Sequence, residues 1–254
     1  MKNKVNILWT GGWDSTYRMI ELSRKDLDIN PIYICDTTRP SLQIEIKTIK
    51  KLYQMIVEDK RTIANVQPIK YVEFSEIKKN EEITKAYERL KKGRILGSQY
   101  EYIARLAYDY SEKIELGIEK PNGEISGCVE TIETYGKIVK KNGTYILDKE
   151  NSSEDLNLIF GNISFPIIDK TEIEMLENIK KWDYVNLMQN IHFCYTPHNG
   201  QPCGYCRPCQ QKIECGMEIL LPKKAKVRYR IYKWRLENNN ILRKIIWKLC
   251  SYFI

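Results

Sequence analysis

The stretch Val5-Asn6-Ile7-Leu8-Trp9-Thr10-Gly11-Gly12-Trp13-Asp14-Ser15-Thr16 decides how the chain is read. Its first five residues form a short apolar run that meets two adjacent glycines. Tyr17, Met19, Ile20 and Leu22 then fall at helical spacing through Ser23. The order is strand, tight loop, helix. At the carboxyl end of a strand, a Gly-Gly pair lets the backbone turn sharply and brings its N–H groups against phosphate oxygens without Cβ collisions. The following helix adds its N-terminal amides and dipole, and the hydroxyls of Thr10, Ser15 and Thr16 supply further donors. Leu8 to Thr16 therefore predicts a phosphate cradle. The loop is neither the Gly-x-x-x-x-Gly-Lys of a Walker A motif nor the Gly-x-Gly-x-x-Gly of dinucleotide binders.

Outward from the loop the pattern repeats. Pro31 to Cys35 reads as a second strand and Ser41 to Met55 as an amphipathic helix. Ile69 to Phe74 reads as a strand, 81–92 and 98–110 as helices, and Lys113 to Ile118 as another strand. Alternating strands and helices predict an α/β fold with an open, mainly parallel, doubly wound sheet. The Asn142-Gly143 pair between two alternating segments predicts a β-hairpin over Ile138 to Leu147. Thr171 with Glu174 three residues on forms a capping box that starts a helix. Four segments are expected: a nucleotide-binding α/β domain over 1–125, a hairpin-containing insertion over 126–165, a helical cysteine-rich region over 166–221 and a basic tail over 222–254.

The loop resembles the Ser-Gly-Gly-x-Asp-Ser PP-loop of the ATP pyrophosphatases, with Thr10 keeping the hydroxyl of the first serine. That resemblance implies an adenine-nucleotide α-hydrolase type of fold. It also implies that ATP is cleaved between its α- and β-phosphates, that Mg²⁺ offsets the pyrophosphate charge, and that a carboxylate or carbonyl oxygen is adenylated before a nucleophile displaces AMP. Leu8, Trp9, Thr10, Gly11, Gly12, Trp13, Asp14, Ser15 and Thr16 would surround the nucleotide, with Asp14 and Ser15 in catalytic positions.

The second motif runs from Cys194 to Cys209. Cys203, Cys206 and Cys209 at successive two-residue intervals form a knuckle that can aim three thiolates at one point, and Cys194 can close a tetrahedral set across a Gly/Pro-containing loop. Four soft ligands suit a structural Zn²⁺. An iron–sulfur cluster is the rival, although the Cys-Pro continuation of the bacterial ferredoxin run is missing. His192 and His198 are alternative ligands, better read as neighbours of the site than as members of it.

Together the two motifs resemble the 7-cyano-7-deazaguanine synthase family, which pairs an N-terminal PP-loop with a C-x8-C-x2-C-x2-C zinc knuckle. Phe165 to Ile173 is similar to the family's Pro-Leu-x-x-x-x-Lys-x-Glu-Ile stretch, with Lys170 one position early, and Asp36 and Glu45 echo an acidic pair after the second strand. The resemblance implies that Lys170 neutralises phosphate charge and that Asp36 belongs to the nucleotide site. It implies as substrates a deazapurine-like carboxylic acid, ATP and an amine, either ammonia or a larger one on a protein or sugar. The substrate-side segments depart from the family. Ile95 to Gln99 and Gly117 to Gly123 replace its motifs, and Ser126-Gly127-Cys128 is a remnant without its acidic partner.

Charge is distributed unevenly. From Pro222 onward ten basic residues stand against Glu237 alone, giving +9 of the total +8 and leaving −1 for the body. Ile241, Leu242, Ile245, Ile246, Leu249 and Phe253 fall on one helical face of this tail. Packing on the chain itself or in a homodimer is the expected role, ahead of an anionic membrane surface or nucleic acid. No signal-peptide core or membrane-length apolar run is seen, which predicts a cytoplasmic protein.

Overall fold

In the computed structural model, which describes residues 3–39, 41–93, 96–120 and 127–238, the first strand, β1 (Lys4–Leu8), divides two cores. Ile7 and Trp9 bury on one side and Leu8 on the other, the two-residue alternation of a strand with both faces covered. β2 (Asp28–Cys35) runs parallel to β1 in a register from Lys4↔Asp28 to Leu8↔Ile32. β3 (Asn65–Val66) and β4 (Lys70–Glu73) both pair in parallel with β2. β5 (Ile114–Glu115) lies parallel on the opposite side of β1. The chain thus winds outward from β1 in one direction, then returns to build in the other. The crevice between the carboxyl ends of β1 and β5 is the topological switch point at which open α/β sheets bind ligands.

β6 (Ile138–Lys141) and β7 (Thr144–Leu147) form the expected antiparallel hairpin. Asn142 and Gly143 both adopt positive φ, 51° and 79°, as a two-residue turn matched to strand twist requires. The hairpin is continuous with the main sheet: β7 pairs antiparallel with β8 (Ile163–Ser164), which pairs in parallel with β5. The result is an open, mostly parallel sheet of eight strands in the order β3-β2-β1-β5-β8-β7-β6, with β4 beside β2.

Helices cover both faces. α1 (Trp13–Ser23) and α2 (Leu42–Val57) pack on one side. There they are joined by α7 (Glu172–Lys181), α8 (Val185–Met188), α9 (Arg207–Glu214) and the first turns of α10 (Lys223–Asn238). α3 (Glu81–Lys91), α4 (Gln99–Tyr108), α5 (Gly127–Tyr135) and α6 (Glu154–Phe160) cover the other. Both cores draw residues from before 125 and after 126, so that boundary marks a change of texture along one sheet. Thr171 and Glu174 make the reciprocal capping box at the start of α7. α5 and α6 were not foreseen: both are short, and α5 buries only Cys128, Thr131 and Ile132.

α1 is pinned to β5 directly beneath the switch point. Arg18 Nε donates to Glu115 Oε2 at 2.8 Å and Arg18 Nη2 to Glu115 Oε1 at 2.6 Å, a bidentate pair with both side chains about nine-tenths buried. Among the described residues no helix is long and apolar enough to cross a membrane. The apolar face expected over 241–253 lies outside the described residues.

Candidate functional site

Gly11 turns the chain out of β1 with φ 74°, and a Cβ there would meet Ile49 Cγ1 at 3.1 Å and Thr48 Cγ2 at 3.2 Å on α2. Gly12 is the N-cap of α1 and brings no side chain to cap it. Thr16 N donates to Gly12 O at 3.1 Å, closing the first helical turn. The amides of Trp13, Asp14 and Ser15 precede that bond, so the helix itself offers them no acceptor. A helix that starts without a capping side chain at the carboxyl end of a central strand presents a cluster of N–H donors to an anion. Thr10 and Ser15 complete the loop: Thr10 N donates to Ser15 Oγ at 3.3 Å, and the two hydroxyls lie 3.2 Å apart.

A cleft of about 220 Å³ opens over this loop, lined among others by Leu8, Thr10, Gly12, Trp13, Asp14 and Ser15. Three residues expected at the nucleotide make hydrogen bonds within the chain. Trp9 and Thr16 are both fully buried, and the Trp9 indole Nε1 donates to Thr16 Oγ1 at 3.0 Å. Asp36 Oδ1 accepts from Thr38 N at 2.9 Å and Thr38 Oγ1 at 2.6 Å, closing its own turn. Arg39, three residues later, lines the cleft instead and is held at 2.8 Å by Glu45. Glu45 is a brace, because it also accepts from Tyr33 Oη at 2.8 Å and Ser41 Oγ at 2.6 Å.

Lys170 pairs with its neighbour Asp169 at 3.6 Å and does not line the cleft. The lysine brought to the start of α1 is Lys212 of α9, whose Nζ lies 5.2 Å from the centre of the Trp13 ring and forms a buried ion pair with Glu172. Glu119, just beyond β5, joins them. Its carboxyl and that of Asp14 are close enough to share a hydrogen bond when one is protonated. Burial is the main cause that raises Asp14 to about 6; Lys212 opposes it, while Glu172 adds to it. Burial likewise raises Glu119 to about 9, reinforced by the charges of Asp14 and Glu172. The three carboxyls and Lys212 come from four separate segments; Glu172 stands at the Glu of the family-like Phe165 to Ile173 stretch, while nothing in the sequence pointed to Glu119 or Lys212. Gly117 makes the approach possible, since a Cβ there would stand 3.1 Å from Ser15 N and 3.2 Å from Asp14 Cβ.

The Glu119 environment sets a pH dependence of stability. Its folded value of about 9 lies above its ordinary 4.5, so between those values the folded chain holds a proton that the unfolded chain has released. Stability from this group is therefore lost as pH rises through that window. Glu119→Gln removes the titration and is expected to raise the melting temperature at pH 8 more than at pH 5. Equal shifts at the two pH values would contradict the assigned environment.

The four cysteines converge as their spacing predicts. Cys194, Cys203, Cys206 and Cys209 place their sulfurs within 4.8 Å of one another, and among the described residues this is the one group so arranged. Cys203 Sγ lies 3.9 Å from Cys209 Sγ, and Cys206 Sγ 3.8 Å from Cys194 Sγ. A tetrahedral ion with metal–sulfur bonds of about 2.3 Å holds its sulfurs about 3.8 Å apart, so the set fits a single metal ion. Backbone N–H groups point at the sulfurs: Cys203 N to Cys194 Sγ at 3.2 Å, and Cys206 N to Cys203 Sγ at 3.2 Å. His192 and His198 stand outside the set. His198 closes a tight turn with Gln201, and His192 N donates to Gly11 O at 3.0 Å, joining the knuckle segment to the Gly11-Gly12 loop. α10 closes the knuckle from the far side, with Arg228 Nε donating to Cys203 O at 2.6 Å.

Comparison with known proteins finds no matching family model and no matching curated protein. Fold and site together define an α/β protein with an open, mostly parallel sheet and a four-cysteine site able to hold a metal such as zinc.

Proposed function

We propose that the chain is an ATP-dependent C–N ligase resembling 7-cyano-7-deazaguanine synthase. It would adenylate a carboxylate, 7-carboxy-7-deazaguanine or a related acid, with release of pyrophosphate, and then form an amide and, with further ATP, a nitrile. The observation that carries the reading is the uncapped start of α1 behind Gly11 and Gly12, set at the carboxyl ends of β1 and β5. Donors fixed there before reaction are aimed at charge that grows on the pyrophosphate, which is how such sites lower barriers. The cleft of about 220 Å³ accommodates a phosphate chain with part of its nucleoside, and Arg39 at its rim adds positive charge. Mg²⁺ with ATP would offset the remainder.

The cysteine set supports Zn²⁺ as a structural ion: four thiolates fill its coordination sphere, and a multi-iron cluster would spread its ligands further apart than these sulfurs stand. The ion would fix α9, and α9 carries Lys212 to the start of α1. The amine is ammonia or a larger one on a protein or sugar.

The test is mass analysis of products from the zinc-loaded chain with ATP, Mg²⁺ and 7-carboxy-7-deazaguanine, with and without ammonia. Formation of AMP, pyrophosphate and an amide or nitrile is expected. ADP with phosphate, or no consumption of ATP with any deazapurine acid, would overturn the reading.

A further inference from the structure

The two sides of α10 have different surroundings. Its inner side is built into the knuckle: Ala225 is fully buried, Tyr229 is nearly so, and Arg228 donates to Cys203 O at 2.6 Å and to Pro202 O at 2.9 Å. The backbone approach is equally close, since a Cβ on Gly204 would stand 2.1 Å from Ala225 O. These contacts fix which way the helix faces.

The outer side carries an apolar stripe. Val227, Ile231 and Trp234 recur at i, i+4 and i+7 and are 52%, 48% and 64% exposed. At 3.6 residues per turn the three span roughly 60° of arc. Lys223 and Arg230 border the stripe on one side and Lys224 and Arg235 on the other, all four exposed. From 223 to 236 the helix has seven basic residues and no acidic one, and Arg228 alone of these is bonded to the knuckle carbonyls. Single exposed apolar residues are ordinary, but a row of them at helical spacing between two basic borders has the pattern of a docking face.

Charge and apolarity together select the occupant. A second copy brings the same positive face, so pairing through it sets like charges against one another. A nucleic acid satisfies the basic borders but sets Val227 and Ile231 against phosphates, with no apolar surface to cover them. An anionic bilayer matches both features. Its acyl boundary receives the stripe, its headgroup phosphates meet the lysines and arginines, and a tryptophan ring is at home at the depth between. The sequence after Glu237 keeps the same composition, with Trp247, three basic residues and no acid through Ile254.

We infer that the outer face of α10 docks the protein on an anionic lipid surface. The helix lies along the headgroups with Val227, Ile231 and Trp234 inserted, and the flanking basic side chains hold lipid phosphates. It lies on the bilayer and does not cross it, in keeping with the absence of a membrane-length apolar helix among the described residues. Through Arg228 the cysteine knuckle is carried to the same surface. Docking of this kind is independent of the ligase reading.

The test is flotation of the zinc-loaded full chain with vesicles of phosphatidylcholine alone, or of phosphatidylcholine with about one-third phosphatidylglycerol to supply the negative surface potential. Binding to the anionic vesicles only is expected, weakening as salt is raised. Lys223→Gln with Arg230→Gln is expected to weaken it about 25-fold, roughly fivefold for each charge removed. Val227→Ser with Ile231→Ser is expected to weaken it at least as much while leaving the salt dependence in place. Trp234→Phe is expected to keep most of the binding and to lose part of the fluorescence quenching by lipids brominated in their acyl chains. All of these side chains face outward, so unchanged melting temperatures are expected; the glutamine pair carries the test if the serine pair melts early.

Vesicle binding by the α10 variants equal to that of the full wild-type chain would place any lipid contact beyond residue 238 and overturn the proposal. Failure of the wild type to bind anionic vesicles, or capture of a DNA or RNA oligonucleotide in preference to them, would overturn it as well.

Discussion

If the cysteine set holds its metal as proposed, removing that metal with a strong chelator, or replacing Cys203 with Ser, is expected to unfold the segment from Cys194 through α9 and to abolish the proposed nucleotide chemistry at a site that no cysteine touches. The path is structural. Cys203 is fully buried and accepts hydrogen bonds through its sulfur from Cys206 N, Tyr205 N and Thr196 Oγ1, so its thiolate organises the loop as well as binding the ion. Without the ion, nothing bonds the four sulfurs to one another across the 4.8 Å in which they sit. A structural zinc site contributes on the order of 10 kcal/mol of apparent binding free energy, more than the whole stability of many domains. Once the knuckle opens, α9 loses its anchor at Cys209 and Lys212 leaves Glu172 and Trp13. One metal ion per chain, a large fall in melting temperature on chelation, new protease cuts within 194–215 and loss of ATP–pyrophosphate exchange are the expected measurements. Unchanged melting and unchanged proteolysis after complete metal removal would refute this account.

Arg18→Ala is expected to cost about 3–5 kcal/mol, because it strands the buried Glu115 carboxylate without its partner. The guanidinium bonds both Glu115 oxygens and also reaches Glu21, so one side chain ties α1 to β5 and to its own next turn. A paired replacement, Arg18→Met with Glu115→Leu, is expected to recover most of the loss, since it removes both charges and keeps the volume. Urea denaturation of the two proteins distinguishes pairing from packing: if the double variant is no more stable than Arg18→Ala, the cost lies in lost packing. The pair also ties α1 to β5 beside the crevice between β1 and β5, beneath the Gly11-Gly12 loop.

The parts of this protein that the sequence made legible are those whose chemistry is local. Gly11 and Gly12 between an apolar run and a helical period, Asn142-Gly143 between alternating segments, and Thr171 with Glu174 each act within a few residues, and the structure places each as read. The cysteine spacing belongs with them: three of the four ligands lie within seven residues, so the knuckle forms from its own loop. Short elements stabilised only by what they pack against, α5, α6 and β8, were invisible for the same reason.

What the tertiary structure alone decided is which polar groups meet at the switch point. The family resemblance of Phe165 to Ile173 implied that Lys170 neutralises phosphate charge; its side chain pairs with Asp169, while Lys212, about forty residues later, arrives beside Trp13 on α9. Glu119 and Glu172 join Asp14 because the chain leaving β5 and the start of α7 meet there, with Gly117 small enough to let them close on α1. A motif records contacts between near neighbours along the chain. Burial, and the unmatched charge it creates among Asp14, Glu119, Glu172 and Lys212, depends on residues that only folding brings into one volume.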